Sequence, residues 1–156
     1  MKKVLFVCLG NICRSPLGEG IFNSIVKNKG LDNCFISKSC GTGSWHAGEM
    51  ADPRMREVAK KHNINLTSRS RQFKTNDFQD FDLIIAMDRQ NKNDLENLAK
   101  EPGEKNKIKL MRDFENNKQN PDVPDPYYGG ENGFENVFQI VYKCTKNLIE
   151  DLENNN

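Results

Sequence analysis

The chain has 156 residues, with 23 lysines and arginines against 22 aspartates and glutamates, which gives a net charge of +1. This length suits a single domain spanning residues 1–156, and so balanced a charge favours neither a nucleic acid nor an acidic membrane as a partner. The six apolar residues at 4–9 are too few for a secretory signal, and no apolar stretch could span a bilayer, so we predict a cytoplasmic protein.

Cysteine spacing bears on redox state and on cofactors. The five cysteines, at positions 8, 13, 34, 40 and 144, are an odd number in a chain with no export signal, so reduced thiols are expected. Their spacing forms no Cys–Cys or Cys–His cluster typical of zinc, so we predict neither a metal nor another cofactor. Cys34, Cys40 and Cys144 are interpreted as core or near-core thiols.

Short apolar runs alternate with amphipathic stretches along the chain. Strands are predicted at 4–8, 35–40, 83–87 and 108–111, of which 35–40 is the least apolar and suits a sheet edge. Four helices are predicted. The first has an apolar stripe from Leu17 to Val26 and ends at Gly30, and the second spans 50–62. The third is capped by Asp88 and has Leu95, Leu98 and Ala99 on its apolar face, and the fourth spans 134–152. This alternation predicts an α/β fold, a parallel sheet with helices on both faces, whose ligands bind beyond the carboxyl ends of the strands.

The segment "CLGNICRSP" (8–16) joins the first strand to the first helix. Ser15 and Pro16 are expected to be the N-cap and the first helical residue. Gly10 and Asn11 both tolerate a positive φ, which lets the chain curl ahead of the helix. The backbone N–H groups would then form an anion-binding nest ahead of the helix N-terminus, built from Leu9, Gly10, Asn11, Ile12, Cys13 and Arg14.

Cys8 and Arg14 give this loop its chemistry. A guanidinium at Arg14 can hold two phosphoryl oxygens at once, which a lysine cannot do. The same amides, helix dipole and arginine favour the thiolate of Cys8, so a nucleophile would face a bound phosphoryl group. The spacing C-x5-R is weak evidence alone, but the strand before it and the helix start after it support this interpretation.

Residues 114–133 contain three prolines, three glycines and no regular periodicity, so they are predicted to form a long loop. A loop of this length in a small domain is either disordered or functional. Asp125 lies between Pro124 and Pro126, which leave it few conformations. This restriction favours a functional carboxylate.

Two motifs, "VLFVCLGNICRSP" (4–16) and "DPYYGG" (125–130), together resemble those of the low-molecular-weight protein tyrosine phosphatases. The segments "GTGSWHAGE" (41–49), "DPRM" (52–55), "SRQF" (70–73) and "MDRQN" (87–91) are similar to further parts of that family, so the resemblance covers nearly the whole chain. It implies a four-stranded parallel sheet flanked by helices, in agreement with the strand–helix alternation. It also implies that Cys8 is the nucleophile, that Arg14 binds the phosphoryl group and that Asp125 is the general acid.

Supporting roles also follow from the resemblance. Asn11 and Ser15 would maintain the shape of the loop and hydrogen-bond to the thiolate. Substrate recognition would involve Trp45 and Tyr127 as walls for an aromatic ring, with His46 and Tyr128 as further candidates. Many relatives have a histidine where this chain has Ser68. That serine either hydrogen-bonds to Asn11 or lies exposed in a loop, and we expect the exposed position.

The sequence therefore predicts a metal-independent protein tyrosine phosphatase, a monomer or weak dimer, that acts on phosphotyrosine-containing proteins or peptides through a phosphocysteine. Phosphate and vanadate are expected to inhibit it. An arsenate reductase on the same fold would need further redox cysteines, and residues 41–143 contain none. Bacterial arginine phosphatases carry a threonine where this chain has Ile12. A catalytically silent phosphotyrosine-binding module is the third alternative, and the presence of Cys8, Arg14 and Asp125 argues against it.

Cys13 lies on the same curled loop as Cys8. We expect it to trap the sulfenic acid of an oxidised Cys8 as a disulfide, which would protect the nucleophile from further oxidation. The alternative is that the Cys13 side chain points into the core.

Overall fold

The predicted strands form one parallel sheet. The computed structural model describes residues 1–116 and 120–155 of the chain. Its strands are β1 (Lys2–Cys8), β2 (Phe35–Gly41), β3 (Leu83–Ala86) and β4 (Ile108–Leu110), in the order β2-β1-β3-β4. The predicted α/β fold is confirmed, and β2 is an edge strand as expected. The sheet places the carboxyl end of β1 beside that of β2, where Cys8 pairs with Gly41.

Helices cover both faces of this sheet. They are α1 (Arg14–Asn28), α2 (Pro53–Lys61), α3 (Asp77–Asp80), α4 (Arg89–Leu98), α5 (Pro102–Asn106) and α6 (Gly133–Asn154). Four correspond to the predicted helices, and Asp88 caps α4 as expected, its side chain accepting from the backbone N–H of Asn91. The helices α3 and α5 were not predicted because a helix of four or five residues shows no periodicity. Within the described residues, every helix is too short or too polar to cross a lipid bilayer.

The strand β1 is buried on both faces, as its unbroken apolar run requires. Val4 and Phe6 belong to one core cluster, which includes the apolar faces of α1 and α6. Leu5 and Val7 belong to a second cluster with residues of α3, α4 and β4. This alternation follows from the two-residue period of a strand, and it fixes the end of β1 firmly between two layers of helices.

Two expectations about the chain outside this core need correction. Cys40 and Cys144 are buried as expected, but Cys34 is exposed because it lies in the turn just before β2. Residues 114–133 are also not one continuous loop, since they include short 3-10 helices at Pro126–Tyr128 and Gly130–Asn132 and the start of α6. Residues 117–119 of that segment lie outside the described residues.

Candidate active site

The loop after β1 enters α1 earlier than the sequence indicated. The helix begins at Arg14, with Cys13 in the N-cap position, so Ser15 and Pro16 already lie in its first turn. The prediction that Ser15 caps the helix and Pro16 begins it is therefore wrong. The Ser15 hydroxyl has other partners: its Oγ lies 2.9 Å from the Sγ of Cys8 and 3.2 Å from the carbonyl oxygen of Cys40.

Of the two residues expected to tolerate a positive φ, one adopts it. Asn11 has φ 57°, whereas Gly10 has a φ outside the left-handed region. Space is tight at position 10, because a Cβ there would lie 3.1 Å from Cδ2 of His46 and the imidazole would have to shift. Sequence analysis missed a second close approach at Gly41, where a Cβ would lie 2.7 Å from the carbonyl oxygen of Leu9.

Cys8 lies at the carboxyl end of β1, and only 3% of the residue is exposed. Behind it, the side-chain amide of Asn11 donates to Ser15 Oγ over 2.7 Å, so Ser15 keeps its own proton to donate either to the sulfur or to the carbonyl oxygen of Cys40. Asn11 is held in turn by the backbone N–H of Arg71, which donates to its Oδ1 over 3.1 Å. The buried side chains of Asn11 and Ser15 therefore support the sulfur from inside the protein.

The guanidinium of Arg14 is fixed beside the same loop. Its Nη1 donates to Oδ2 of Asp88 over 2.7 Å and to the carbonyl oxygen of Val123 over 2.9 Å. Burial works against the charged form, but the negative charges of Cys8, Asp88 and Asp125 raise the pKa of Arg14 above its ordinary value. The sequence indicated Asp88 only as a helix cap. Its second role, which spans 74 residues of sequence, has no local signature.

One pocket brings most of the predicted site together. It has a volume of about 150 Å³. Its lining residues are Cys8, Leu9, Gly10, Ile12, Cys13, Arg14, Trp45, His46, Asp125, Pro126 and Tyr127. Asn11 and Ser15 lie behind the loop, and Tyr128 lies outside the pocket with 90% of its surface exposed. The structure therefore gives Tyr128 no contact with this pocket.

The segment that carries Asp125 is anchored through Val123. The backbone N–H of Val123 donates to the carbonyl oxygen of Met87 at the end of β3, and its own carbonyl accepts from Arg14. Asp125 then caps the 3-10 helix Pro126–Tyr128, with Oδ1 accepting from the backbone N–H of Tyr127 over 3.0 Å. These contacts bring the carboxylate to the pocket although it is 117 residues from Cys8 in sequence.

The Tyr127 hydroxyl is hydrogen-bonded to the carboxylate of Asp52, a contact that the sequence did not indicate. The hydroxyl donates to Oδ2 of Asp52 over 2.7 Å, and the Arg54 guanidinium stacks 4.7 Å from the centre of the Tyr127 ring. Burial alone would raise the pKa of Asp52, but hydrogen bonds from Arg54 and Tyr127 outweigh it and lower that pKa to about 2. Asp52 also donates its backbone N–H to the carbonyl oxygen of Ile12 over 2.7 Å, so it joins this wall to the loop.

Trp45 and His46 form the opposite, more open rim. The Trp45 ring lies over Gly43 and is 69% exposed. His46 packs against Gly10, and its Nδ1 lies 3.0 Å from Oε2 of Glu49. The Trp45 and Tyr127 side chains are thus both among the lining residues of the pocket.

Ser68 takes neither of its two expected positions. It is half-buried, and its hydroxyl hydrogen-bonds to Glu19 on α1. The hydrogen-bond partners of the Asn11 side chain are instead Ser15, Ser39 and Arg71. A further serine that the sequence did not single out, Ser70, donates to the carbonyl oxygen of Gly10 over 3.0 Å.

Cys13 lies between the pocket and the core. It is 5% exposed, belongs to the same apolar cluster as Cys8 and also lines the pocket. Burial first, and then the negative charges of Asp52 and Cys8, raise the pKa of the Cys13 thiol to about 12. Cys13 is therefore protonated at neutral pH.

Comparison with known proteins agrees with this geometry. The family model for the low molecular weight phosphotyrosine protein phosphatases matches residues 3–156. The chain is 40% identical over 151 residues to the low molecular weight phosphotyrosine protein phosphatase of Schizosaccharomyces pombe, and the alignment covers 96% of each chain. It is also 40% identical over 149 residues to a low molecular weight protein-tyrosine-phosphatase from Streptomyces coelicolor, with 94% of this chain and 91% of that protein covered. A solved protein tyrosine phosphatase from Entamoeba histolytica superposes with a TM-score of 0.94 at 43% identity, covering 99% of both chains. The chain belongs to the low molecular weight phosphotyrosine protein phosphatase family.

Proposed function

We propose that the chain hydrolyses phosphotyrosine in proteins or peptides, with Cys8 as nucleophile, Arg14 as phosphoryl-binding residue and Asp125 as general acid. The observation that carries this proposal is the position of Cys8 in a pocket that Arg14 and Asp125 also line, with a Ser15 hydroxyl 2.9 Å behind the sulfur. Family membership supports the same reaction.

The first step forms the bond between the Cys8 sulfur and phosphorus and breaks the bond between phosphorus and the tyrosine oxygen. Asp125 gives its proton to the departing phenolate, so the leaving group is tyrosine and the product on the enzyme is a phosphocysteine. Arg14 and the N–H groups of the loop stabilise the equatorial oxygens, which we expect to be the largest contribution to the rate.

The second step restores the enzyme. Asp125, now a carboxylate, takes a proton from a water molecule while the water oxygen attacks phosphorus. The bond between sulfur and phosphorus breaks, inorganic phosphate leaves and Cys8 returns as a thiolate. The Ser15 hydroxyl, which can donate to the sulfur, stabilises that thiolate as a leaving group.

Phosphotyrosine fits the walls better than phosphoarginine does. The side chain of Ile12 contributes apolar surface to the pocket, and the Trp45 and Tyr127 rings suit an aromatic ring between them. Ile12 offers no hydroxyl to a guanidinium, in contrast to the threonine of the bacterial arginine phosphatases. We also propose that the protein is cytoplasmic, that phosphate and vanadate occupy the loop as inhibitors, and that the chain is a monomer or weak dimer.

The test is hydrolysis of p-nitrophenyl phosphate in the presence of EDTA. We expect full activity with EDTA and none in Cys8→Ser, because the hydroxyl of a serine stays protonated at neutral pH. The variant should still bind vanadate or a phosphotyrosine peptide. Cys34→Ser, at an exposed position remote from the pocket lining, is the matched control and should keep its activity. Substantial turnover by Cys8→Ser, or loss of activity in EDTA, would contradict the proposal.

A further inference from the structure

A second cavity lies at the β2 edge of the sheet, apart from the pocket at Cys8. It has a volume of about 470 Å³, which is within the range of small-molecule sites, and none of the described residues lines both cavities. Four of its nine lining residues are basic, namely Lys3 on β1, Lys38 on β2, and Arg71 and Lys74 in the segment before α3. We call this cavity the edge cavity.

The two strand lysines of the edge cavity lie on the same face of the sheet. By the two-residue period of a strand, Lys3 shares a side of β1 with Leu5, and Lys38 shares a side of β2 with Cys40. Leu5 and Cys40 both belong to the core cluster that includes α3 residues. In the sheet register Lys3 lies opposite Ile36, two residues before Lys38. Both lysine side chains therefore leave the sheet on the side that α3 covers.

Most of the positive charge in the edge cavity is uncompensated. Its three lysines form no ion pair with any residue that the structure describes. The lining has two carboxylates, and one of them, the buried Asp77, is already paired with Arg71. Asp80 is then the one carboxylate of the lining that faces three unpaired ammonium groups. The excess of positive charge attracts anions to this cavity.

Arg71 has a free hydrogen-bonding edge. Its Nη1 and Nη2 donate to Oδ2 and Oδ1 of Asp77, each over 3.0 Å, and Nη1 also donates to the carbonyl oxygen of Gln72 over 3.3 Å. A guanidinium has five N–H donors, so its Nε–H and the neighbouring N–H of Nη2 have no partner among the described residues. These two hydrogens are parallel, which suits two oxygens of one carboxylate or phosphoryl group. The Arg71 side chain is 34% exposed, so solvent reaches it.

Apolar surface accompanies these charges. Ile36 on β2 and Phe81 after α3 both line the edge cavity. Its volume of about 470 Å³ also exceeds the volume of about 150 Å³ of the pocket at Cys8, so there is more room than a single inorganic ion requires. The ligand that fits best is therefore an organic molecule with an apolar body and several anionic groups.

We propose that the edge cavity is a binding site for a small organic polyanion, with one anionic group on the free edge of Arg71 and the others beside the three lysines. Carboxylate and phosphoryl groups share the required chemistry. The proposal does not depend on the reaction at Cys8, because Cys8 lies in the other pocket.

The experiment is isothermal titration calorimetry at low salt with two probes, benzene-1,3,5-tricarboxylate and inorganic triphosphate. We expect saturable binding that is about tenfold weaker in Lys38→Gln/Lys74→Gln, because two of the charges are lost. Lys146→Gln, at an exposed position of α6 outside the cavity lining, is the matched control and should bind the probes as the wild type does. Tighter binding of the tricarboxylate would assign the site to carboxylates, and tighter binding of triphosphate would assign it to phosphoryl groups.

Arg71→Lys tests the free edge of the guanidinium separately from its charge. Lysine keeps the positive charge but has no pair of parallel N–H groups, so we expect this variant to bind both probes several-fold more weakly than the wild type. If Arg71→Lys fails to fold, as judged by thermal unfolding, the lysine variants still provide the test, because their side chains are exposed.

Three outcomes would overturn the proposal. They are the absence of saturable binding, equal binding in the wild type and Lys38→Gln/Lys74→Gln, and binding that vanadate abolishes entirely, which would place the probe at Cys8. Hydrolysis of p-nitrophenyl phosphate should be the same in the wild type and the double lysine variant. A wild-type protein that fails to hydrolyse this substrate would contradict the proposed function instead, and the titration would still decide whether the edge cavity binds a polyanion.

Discussion

The carboxylate of Asp52 offers a quantitative test of how the pocket wall is held. It accepts hydrogen bonds from the backbone and guanidinium of Arg54 and from the Tyr127 hydroxyl, and it is 8% exposed. The pKa of Asp52 is about 2 in the folded protein, against 3.8 as its ordinary value. A difference of just under two units corresponds to about 2 kcal/mol of folding stability.

The sign of the pH dependence follows from the direction of this shift. The folded pKa is the lower one, so the contribution of Asp52 is complete above about pH 5 and is lost as the pH falls towards 2. At pH 3 the unfolded chain has already taken up most of a proton at this position, while the folded protein has not. About half of the contribution, roughly 1 kcal/mol, is then gone.

Asp52→Asn tests this value, because asparagine keeps an oxygen for the helix N-terminus but not the charge. We expect the variant to lose about 2 kcal/mol at pH 7 in urea unfolding followed by circular dichroism, and about 1 kcal/mol less than that at pH 3. Asp151→Asn, on an exposed position of α6, is the matched control and should change little at either pH. An equal loss for Asp52→Asn at pH 3 and pH 7 would refute the reasoning.

Three further predictions concern the reaction and its surroundings. Asp125→Asn should slow phosphotyrosine cleavage by a factor of about 10²–10⁴, because the tyrosine phenolate, with a pKa of about 10, needs a proton in order to leave. Cleavage of p-nitrophenyl phosphate should slow far less. Equal slowing of both substrates would mean that another group supplies the proton. After peroxide treatment, dithiothreitol should restore the activity of the wild type fully and that of Cys13→Ala only partly. The difference in recovered activity should grow with pH, because the Cys13 pKa of about 12 limits the amount of its thiolate. Equal recovery would exclude the disulfide trap. Tyr127→Phe should lower the free energy of urea unfolding by about 1 kcal/mol, because the hydrogen bond to Asp52 is lost. Its KM for aryl phosphates should stay nearly unchanged. A large rise in KM would show that the Tyr127 hydroxyl positions the tyrosine ring in the pocket.

The sheet and the nucleophile loop could be predicted because their signals are local. The apolar run of β1 requires burial on both faces, and the Gly, Asn and Ser-Pro that follow it are typical of a strand-to-helix turn. The position of Asp125 could also be inferred, since two flanking prolines restrict it wherever the loop lies. The role of Asp125 as general acid, in contrast, was implied by the family resemblance and not by its neighbours.

The parts that the sequence did not reveal depend on contacts between distant segments. Ser15 has the signature of a helix cap, yet its hydroxyl is used by Cys8 and Asn11, so the helix starts earlier. Asp52 and Glu19 look like ordinary polar residues in the sequence, and only the fold brings them to Tyr127 and Ser39. Such roles leave no periodicity or spacing that a single chain could show.

The anchoring of Val123 has a consequence for insertions and deletions in this chain. The Val123 backbone is hydrogen-bonded on both sides: its N–H donates to the carbonyl oxygen of Met87, and its carbonyl oxygen accepts from Arg14. Asp125 follows only two residues later, and its carboxylate lies at the pocket. Inserting one residue between Val123 and Asp125 would therefore displace that carboxylate by up to about 3.5 Å. The number of residues from 123 to 125 is therefore fixed. Loop length, usually the most variable property of a surface segment, is here as constrained as the identity of the proposed general acid.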